Sequence, residues 1–453
     1  MILSSDNISN KLLNIINSTP IFDLHTHLFH PKHEGYFLLG FKNLLNYHYL
    51  IAELLTATNI DASTFYSYND EKKASLIWNE LFEKRTPVSE ACAGVLSVLK
   101  ELNIEINNKS FLSISDEYGR KIQSDKNILD LSNVSSLVMT NNPFDLDEWS
   151  LFNNSDWDKK IYLASLRLDD LILDYEETCK KVKDQTSNQE KSTIIAYLEK
   201  CYLQSNPVYA AVSLNTATFN TLLDDSMWRE ILLWLENKNL PLSLMLGVRR
   251  AVNKDFGLAG DGIGDINLKE LSNLCNLFPK NKFLVTCLSL NDQHELTVLA
   301  RKHPNLRIFG FWWFMNQPTI IKQILKMRID MLGFSFIPQH SDARVSDQLI
   351  YKWNHFKKIL HPILLEYYQD LLDKNFPISR DQLTKKLKEK NIDTRDAFVP
   401  INQQKILVEK YKLFKEDDCP NANYIMDNGF YLPSGNTITN AEIDYVCDVI
   451  KKI

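Results

Sequence analysis

The sequence predicts an α/β protein built on a (β/α)8 TIM-type barrel, with a helical insertion after strand 1 and a C-terminal helical extension. Short apolar runs alternate along the chain with amphipathic stretches of helical length. This alternation is typical of parallel strands joined by right-handed helical crossovers. There are eight such runs, which is the strand number of this barrel. A doubly wound open sheet is the competing interpretation.

The strand candidates begin with the run "IFDLH". In order, they lie at residues 21–25, 136–139, 161–164, 209–212, 242–245, 283–286, 307–310 and 334–337. The amphipathic patterns between them predict helices at residues 225–238, 268–278, 293–303 and 318–330.

The interval from residue 34 to residue 130 is too long for a single crossover. It carries helical patterns at residues 39–57, 70–84 and 88–102. Loops that follow the strands of such a barrel lie on its catalytic face, so this insertion is expected to cover a site. We therefore assign residues 1–400 to the barrel with its insertion, and residues 401–453 to a linker and C-terminal tail.

The net charge, the apolar runs and the cysteines of the sequence indicate which partners and which cellular location to expect. The 453 residues carry a net charge of −6, which argues against nucleic acid or an anionic membrane as partner. No apolar run approaches the length of about 20 residues that a membrane span needs. Seven cysteines, none in a C-x-x-C pair, favour a cytoplasmic protein with reduced thiols. A small molecule is the expected partner, and a homo-oligomer remains open.

The stretch "FDLHTHLF" places His25 and His27 two residues apart at the end of the first strand. Side chains two apart on a strand point the same way, so these imidazoles form half of a metal site. Asp342 follows the eighth strand, which barrel closure places beside the first. We expect these three residues to bind one divalent ion, with zinc the first choice. His340 is a weaker candidate and is expected to be a hydrogen-bonded strand histidine.

Six short motifs along the chain resemble those of the uronate isomerases, whose fold is that of the amidohydrolase superfamily. They are "FDLHTHL", "YHYL" (47–50), "SLRLDD" (165–170), "LGVRR" (246–250), "FWWF" (311–314) and "HSDARV" (340–345). Their order is that of the family, and the resemblance extends from about residue 20 to about residue 395. It implies the barrel with its insertion, and the interconversion of an aldo-uronate and a keto-uronate.

The resemblance also implies roles for individual residues. The metal ligands would be His25, His27 and Asp342; the catalytic residues Tyr49, His48 and Asp342; and the substrate-binding residues Arg167, Arg344, Trp312 and Trp313. The chemistry agrees, because arginine pairs with a carboxylate through a bidentate fork. Moving a proton between C2 and C1 needs a general acid or base and a group that stabilises oxyanion charge.

Three positions depart from the family pattern. Tyr47 stands where the family usually has the aspartate of Asp-His-Tyr, and Met245 stands at its strand-5 histidine. The end of strand 2 reads "TNNP" (140–143) instead of an aspartate-rich sequence. These changes leave two alternatives open, a metal-dependent hydrolase on the same scaffold and a sugar-acid-binding relative without catalysis.

The C-terminal residues 419–453 resemble the tail of PLP-dependent sugar aminotransferases through their "NGFYLP" core. No PLP lysine accompanies this tail, so it predicts no aminotransferase activity. It either docks on a partner or packs on the barrel, and residues 401–418 would be the linker. The glycine-rich stretch "GLAGDGIGD" (257–265) reads as a loop after strand 5 that could contact substrate.

Overall fold

The structure is a computed structural model that describes residues 5–33, 35–154, 157–183, 193–374, 376, 380–404, 406–411, 419–435 and 437–452. The chain divides into two compact units, one formed by Ile16–Leu360 and the other by Met1–Ile15 with His361–Ile453. Among the described residues, no helix combines the length and apolarity needed to span a membrane.

Twelve strands occur in the described part of the chain. They are β1 (Ile21–Thr26), β2 (Val134–Met139), β3 (Tyr162–Leu163), β4 (Leu166–Arg167), β5 (Ala210–Leu214), β6 (Leu242–Leu246), β7 (Val248–Arg249), β8 (Gly262–Ile263), β9 (Phe283–Cys287), β10 (Leu306–Ile308), β11 (Arg395–Asp396) and β12 (Phe430–Tyr431).

The helices are more numerous than the strands. They are α1 (Ser5–Ser18), α2 (Phe41–Leu45), α3 (His48–Ala57), α4 (Ala62–Tyr66), α5 (Asp70–Trp78), α6 (Glu90–Glu101), α7 (Phe111–Lys121), α8 (Asp125–Ser132), α9 (Leu146–Asn154), α10 (Asp170–Leu173), α11 (Tyr175–Lys183), α12 (Thr193–Ser205), α13 (Thr216–Thr221), α14 (Ser226–Lys238), α15 (Leu268–Leu277), α16 (Gln293–Lys302), α17 (Pro318–Leu332), α18 (Gln348–Asp373), α19 (Arg380–Glu389), α20 (Pro420–Asn428) and α21 (Asn440–Lys452). Short 3-10 or π-helical turns occupy Asn79–Glu83, Lys254–Gly260, Trp313–Met315, Ile401–Gln403 and Ile406–Lys410.

The central strands form two parallel sheets, in the orders β1-β2-β3 and β10-β9-β6-β5-β4. Every residue of β6 is buried, as expected for a parallel strand covered on both faces. Helices such as α14 and α15 lie between consecutive strands of the second sheet. The predicted α/β class with parallel pairing is confirmed.

Backbone hydrogen bonds also join segments at the sheet edges. Arg167 N donates to Asn141 O over 2.7 Å, and Gly310 N donates to Ile337 O over 2.9 Å. Asp342 N donates to His25 O over 3.1 Å. The predicted eighth strand is reduced to one parallel bridge between Ile337 and Phe309. Pro338 follows at once and has no N–H group with which to extend the ladder.

The interval between β1 and β2 is helical, with more helices than the sequence predicts. The predicted helix at 39–57 is divided into α2 and α3, because Asn46 caps the first helix and Tyr47, which precedes the second, has an extended conformation. The pattern at 70–84 is α5 followed by a π-helical turn, the pattern at 88–102 is α6, and α4, α7 and α8 complete the interval. Asp347 holds it near the site by accepting hydrogen bonds from Gly40 N and the Tyr118 hydroxyl.

The unit that contains the C-terminal tail is built from helices and a small antiparallel pair. Strand β11 pairs with β12, with Arg395 opposite Tyr431. Asn402 donates a hydrogen bond to Asn423 over 2.8 Å. Residues 412–418 of the predicted linker lie outside the described residues, and the predicted boundary at residue 400 stays a prediction.

Candidate functional site

Two separate segments of the chain bring the predicted metal ligands together. His25 and His27 lie at the end of β1, where Thr26 turns its side chain to donate to Val138 O over 2.8 Å. Asp342 is held beside them because His27 N also donates to Ala343 O, over 2.7 Å. Asp342 has a left-handed backbone with φ of 51°, a conformation that aspartate tolerates better than most residues.

The spacing of the three ligand atoms suits one metal ion. His25 Nε2 lies 3.7 Å from Asp342 Oδ1, and His27 Nε2 lies 3.4 Å from the same oxygen. Zinc bonds of about 2.0–2.2 Å place neighbouring ligands of a tetrahedral site roughly 3.4 Å apart. The Nε2 atom of His25 and Oδ1 of Asp342 are buried without a hydrogen-bond partner in the described part of the chain. Two imidazoles and one carboxylate therefore fit a zinc-like divalent ion.

Burial determines the protonation of these ligands. It lowers the pKa of His25 to about 4, with Asp342 opposing the shift. Burial and then the Arg344 charge lower the pKa of His27 to about 3. Burial alone would raise the pKa of Asp342, but its close contact with His27 and the nearby positive charges hold it well below its ordinary value. Neutral imidazoles and an ionised carboxylate are the states that metal binding needs.

A cavity of about 350 Å³ opens beside the metal ligands. Every predicted site residue except Tyr49 lines it, namely His25, His27, His48, Arg167, Trp312, Trp313, Asp342 and Arg344. These residues come from segments far apart in the chain, so their meeting in one cavity is a tertiary feature.

The two predicted arginines, Arg167 and Arg344, line this cavity. Arg167 ends β4, and its Nε lies 3.8 Å from Asp169 Oδ2. Arg344 is held through its backbone, because Arg344 N donates to Gln348 Oε1 over 2.8 Å. The Nε atoms of both arginines are buried without a hydrogen-bond partner among the described residues. Unused donors of this kind can bind a carboxylate in a bidentate fork.

The His48–Tyr49 pair divides between two environments. His48 is the first residue of α3 and lies in the cavity wall. Burial, followed by the charge of Arg344, lowers its pKa well below 6.5, so the imidazole is neutral at pH 7. The Tyr49 ring instead stacks on Phe314, with centroids 6.3 Å apart, and packs against the buried cluster that contains Trp312 and Met245. Burial raises the Tyr49 pKa well above 10.

Sequence reasoning missed several residues of the cavity wall. Asp169, Asp170 and Arg250 also line it. The first two belong to "SLRLDD", and Arg250 belongs to "LGVRR", so the motifs that carry the resemblance contained the signal. Arg250 Nη1 and Asp261 Oδ2 form an ion pair of 2.6 Å across the antiparallel β7–β8 arm.

The glycine-rich stretch 257–265, which contains β8, reaches the cavity. Leu258 and Asp261 both lie in the wall. The loop is also tied to the helical interval, because the Tyr66 hydroxyl donates to Phe256 O over 2.5 Å.

The structure gives the contacts of three further positions: the end of β2 and Met245, which both depart from the family pattern, and His340. A carboxyl group from another element lies at the end of β2. Glu148 of α9 accepts a hydrogen bond from Asn142 N over 2.8 Å and another from the Asn141 side-chain amide over 3.3 Å. Burial raises the pKa of Glu148 to about 7. Met245 packs in the cluster that contains both tryptophans. Among the described residues, neither ring nitrogen of the buried His340 has the hydrogen-bond partner that was expected, and the ring packs against Phe309 and His25.

The chain is similar to several solved structures of uronate isomerases. A solved uronate isomerase from Bacillus halodurans is 39% identical, with a TM-score of 0.79, covering 84% of this chain and 94% of that chain. A uronate isomerase from Thermotoga maritima is 16% identical, with a TM-score of 0.65 and coverage of 83% of this chain and 95% of that chain. A glucuronate isomerase from Caulobacter crescentus is 14% identical, with a TM-score of 0.66 and coverage of 82% and 90%. The last two likenesses concern the fold alone.

The C-terminal part of the chain has a different likeness. Residues 358–451 match the DegT/DnrJ/EryC1/StrS aminotransferase family. The match includes the tail 419–451 and begins earlier than the sequence motifs indicated. No curated protein matches the chain.

Proposed function

The chain belongs to the uronate isomerase family, and we propose that it interconverts an aldo-hexuronate and a keto-hexuronate of the glucuronate–fructuronate type. The observation that carries the proposal is the meeting of the metal triad with Arg167 and Arg344 in one cavity. A metal-dependent hydrolase and a non-catalytic sugar-acid-binding protein are the less favoured alternatives, because the 39% identical relative is a uronate isomerase.

The proposal includes a closed eight-stranded barrel that carries the helical interval as an insertion. Hydrogen bonds from Arg167 to Asn141, from Gly310 to Ile337 and from Asp342 to His25 support closure, because they join the two sheets at their edges. In such a barrel the cavity would lie at the carboxyl ends of the strands, where the active sites of this fold are found.

In the proposed complex, Arg167 and Arg344 hold the carboxylate of the uronate through their unused N–H donors. Trp312 and Trp313 present apolar surface to the sugar ring from the same wall. A divalent ion bound to His25, His27 and Asp342 would supply Lewis-acid stabilisation of charge on a substrate oxygen.

The reaction moves one proton from C2 to C1 through an enediol, while the hydroxyl proton of O2 passes to O1. His48 is neutral and lies in the wall, so it can accept the carbon-bound proton and return it to C1. Asp342 is ionised beside the same cavity and is the second candidate.

Tyr49 keeps its predicted catalytic role as a proposal, although its ring lies outside the cavity wall. Tyr49→Phe should lower kcat by roughly 10²–10⁴-fold if the hydroxyl carries a proton. His48→Gln measured beside it provides the comparison. A loss of that size in His48→Gln together with a near-normal Tyr49→Phe assigns the step to His48.

The test of the proposed function is proton NMR of glucuronate and galacturonate with metal-loaded protein in deuterated water. Ketose formation, with deuterium entering the carbon that receives the proton, is the expected result. The His25→Ala/His27→Ala double variant is the matched control and should form no ketose. Uronates that bind in calorimetry but yield no ketose would overturn the proposal in favour of the sugar-acid-binding alternative.

We also propose a reducing, cytoplasmic setting. All seven cysteines are free, which supports this location. For the segment matched to the aminotransferase family we propose no aminotransferase activity, since no PLP lysine accompanies it.

A further inference from the structure

We infer that Tyr209 is a positioning residue of the metal site, whose hydroxyl holds His25 in the tautomer that leaves Nε2 free to bind the ion. The inference rests on the metal triad of the proposed function. It concerns a residue that none of the sequence motifs contains.

The hydroxyl of Tyr209 bridges two groups of β1. Tyr209 immediately precedes β5, and its oxygen lies 3.0 Å from Leu24 O and 2.9 Å from His25 Nδ1. The ring is buried in a cluster with Val138 and Ala211, against which Leu24 packs. Since the ring is enclosed on these sides, the hydroxyl is held at its two partners.

These two contacts determine where the imidazole proton lies. A carbonyl oxygen can only accept, so the single hydroxyl hydrogen of Tyr209 points at Leu24 O. The contact with His25 Nδ1 is then a hydrogen bond only if Nδ1 carries a hydrogen and donates it. A neutral imidazole protonated on Nδ1 has its lone pair on Nε2.

The neighbouring hydroxyl groups of Thr140 and Ser165 do not donate a hydrogen bond to the Tyr209 oxygen. Thr140 donates its hydrogen to Thr26 O over 2.6 Å, and Ser165 donates its hydrogen to Met139 O over 2.8 Å. Neither hydroxyl therefore has a hydrogen left to give to the Tyr209 oxygen. Nδ1 of His25 is the donor that this oxygen accepts.

The other side of the same ring faces the metal position. His25 Nε2 is buried, lies 3.7 Å from Asp342 Oδ1 and has no hydrogen-bond partner in the described part of the chain. The opposite tautomer would place two acceptors, Leu24 O and Nδ1, on a hydroxyl with one hydrogen. Tyr209 thus disfavours the tautomer that would block the ligand atom, as outer hydrogen bonds to metal-binding histidines do in general.

The direct test removes the hydroxyl alone. Tyr209→Phe should weaken zinc binding by about 10–100-fold, measured by competition with a chelator of known affinity. Tyr197→Phe is the matched control, because it removes another buried tyrosine hydroxyl, which donates to Pro143 O away from the metal ligands. The control should bind zinc as the wild type does. Equal affinity in folded Tyr209→Phe and wild type would overturn the inference.

A second readout does not depend on the variant folding. Wild-type protein labelled with ¹⁵N-histidine and freed of metal should have His25 protonated at Nδ1, with the signal assigned by its loss in His25→Gln. A His25 protonated at Nε2 would overturn the inference whatever the variant does. A wild-type chain that binds no zinc would instead contradict the metal centre of the proposed function, so the two failures are distinguishable.

Discussion

His33 should make the folded chain sensitive to mild acid. Its side chain is fully buried and packs among the rings of Phe29, Phe152 and Trp157. Neither ring nitrogen has a hydrogen-bond partner among the described residues. Burial, and then the nearby His30, lowers the pKa of His33 to about 4, against an ordinary value of 6.5.

The sign and size of the effect follow from these two pKa values. Below pH 6.5 the unfolded chain takes up a proton at this histidine that the folded chain does not, so stability falls as the pH falls. The loss develops between pH 6.5 and pH 4 and is complete below the folded pKa. From pH 7.5 to pH 5 it amounts to about 2 kcal/mol for this one residue.

The assay is urea unfolding of wild type and His33→Phe at pH 7.5 and pH 5.0. Between pH 7.5 and pH 5.0 the free energy of unfolding of the variant should fall by about 2 kcal/mol less than that of the wild type, because other titrating groups contribute equally to both proteins. His294→Phe is the control at an exposed histidine and should keep the wild-type dependence on pH. The same loss of stability in wild type and His33→Phe would refute the reasoning.

Three further predictions concern the site and the tail. Elemental analysis should find one divalent ion per wild-type chain and almost none in His25→Ala/His27→Ala; equal metal in both would remove the proposed triad. Arg344→Lys keeps the charge but loses the fork, so steady-state kinetics should register chiefly a higher KM, and a fall in kcat alone would place the arginine in the chemical step. Deletion of residues 419–453 should leave turnover mostly intact, since every proposed site residue precedes them; a folded, metal-loaded protein without activity would contradict this.

The seven helical stretches that the sequence predicted all coincide with helices of the structure, because the signals that form a helix are local. The pattern at 225–238 corresponds to α14, whose N-cap is Asp225. The side chain of Asp225 accepts a hydrogen bond from Met227 N. Helix α15 likewise follows the cap at Asn267, which accepts from Glu270 N. The last strand was less predictable, because the apolar run at 334–337 pairs with the described residues through one bridge, between Ile337 and Phe309.

In the candidate site, too, some residues were predictable from the sequence and others depend on tertiary contacts. His25 and His27 could be paired from the two-residue period of a strand, barrel closure added Asp342, and the family resemblance added the arginines. The role inferred for Tyr209 has no local signal, because it depends on a hydroxyl that reaches from the start of β5 to β1. Glu148 was missed for the same reason, since it lies on a helix and serves the end of a strand.

The sequence by itself determined the alternation of strands and helices, the same-facing histidines and the family to which the motifs belong. These depend on residue type and on spacing over a few positions, which the chain carries along its length. Only the tertiary structure decided that His48 lines the cavity while Tyr49 packs against Phe314, although the two are adjacent. Consecutive helical residues point about 100° apart, so the packing of α3 decides which of the two side chains meets the cavity.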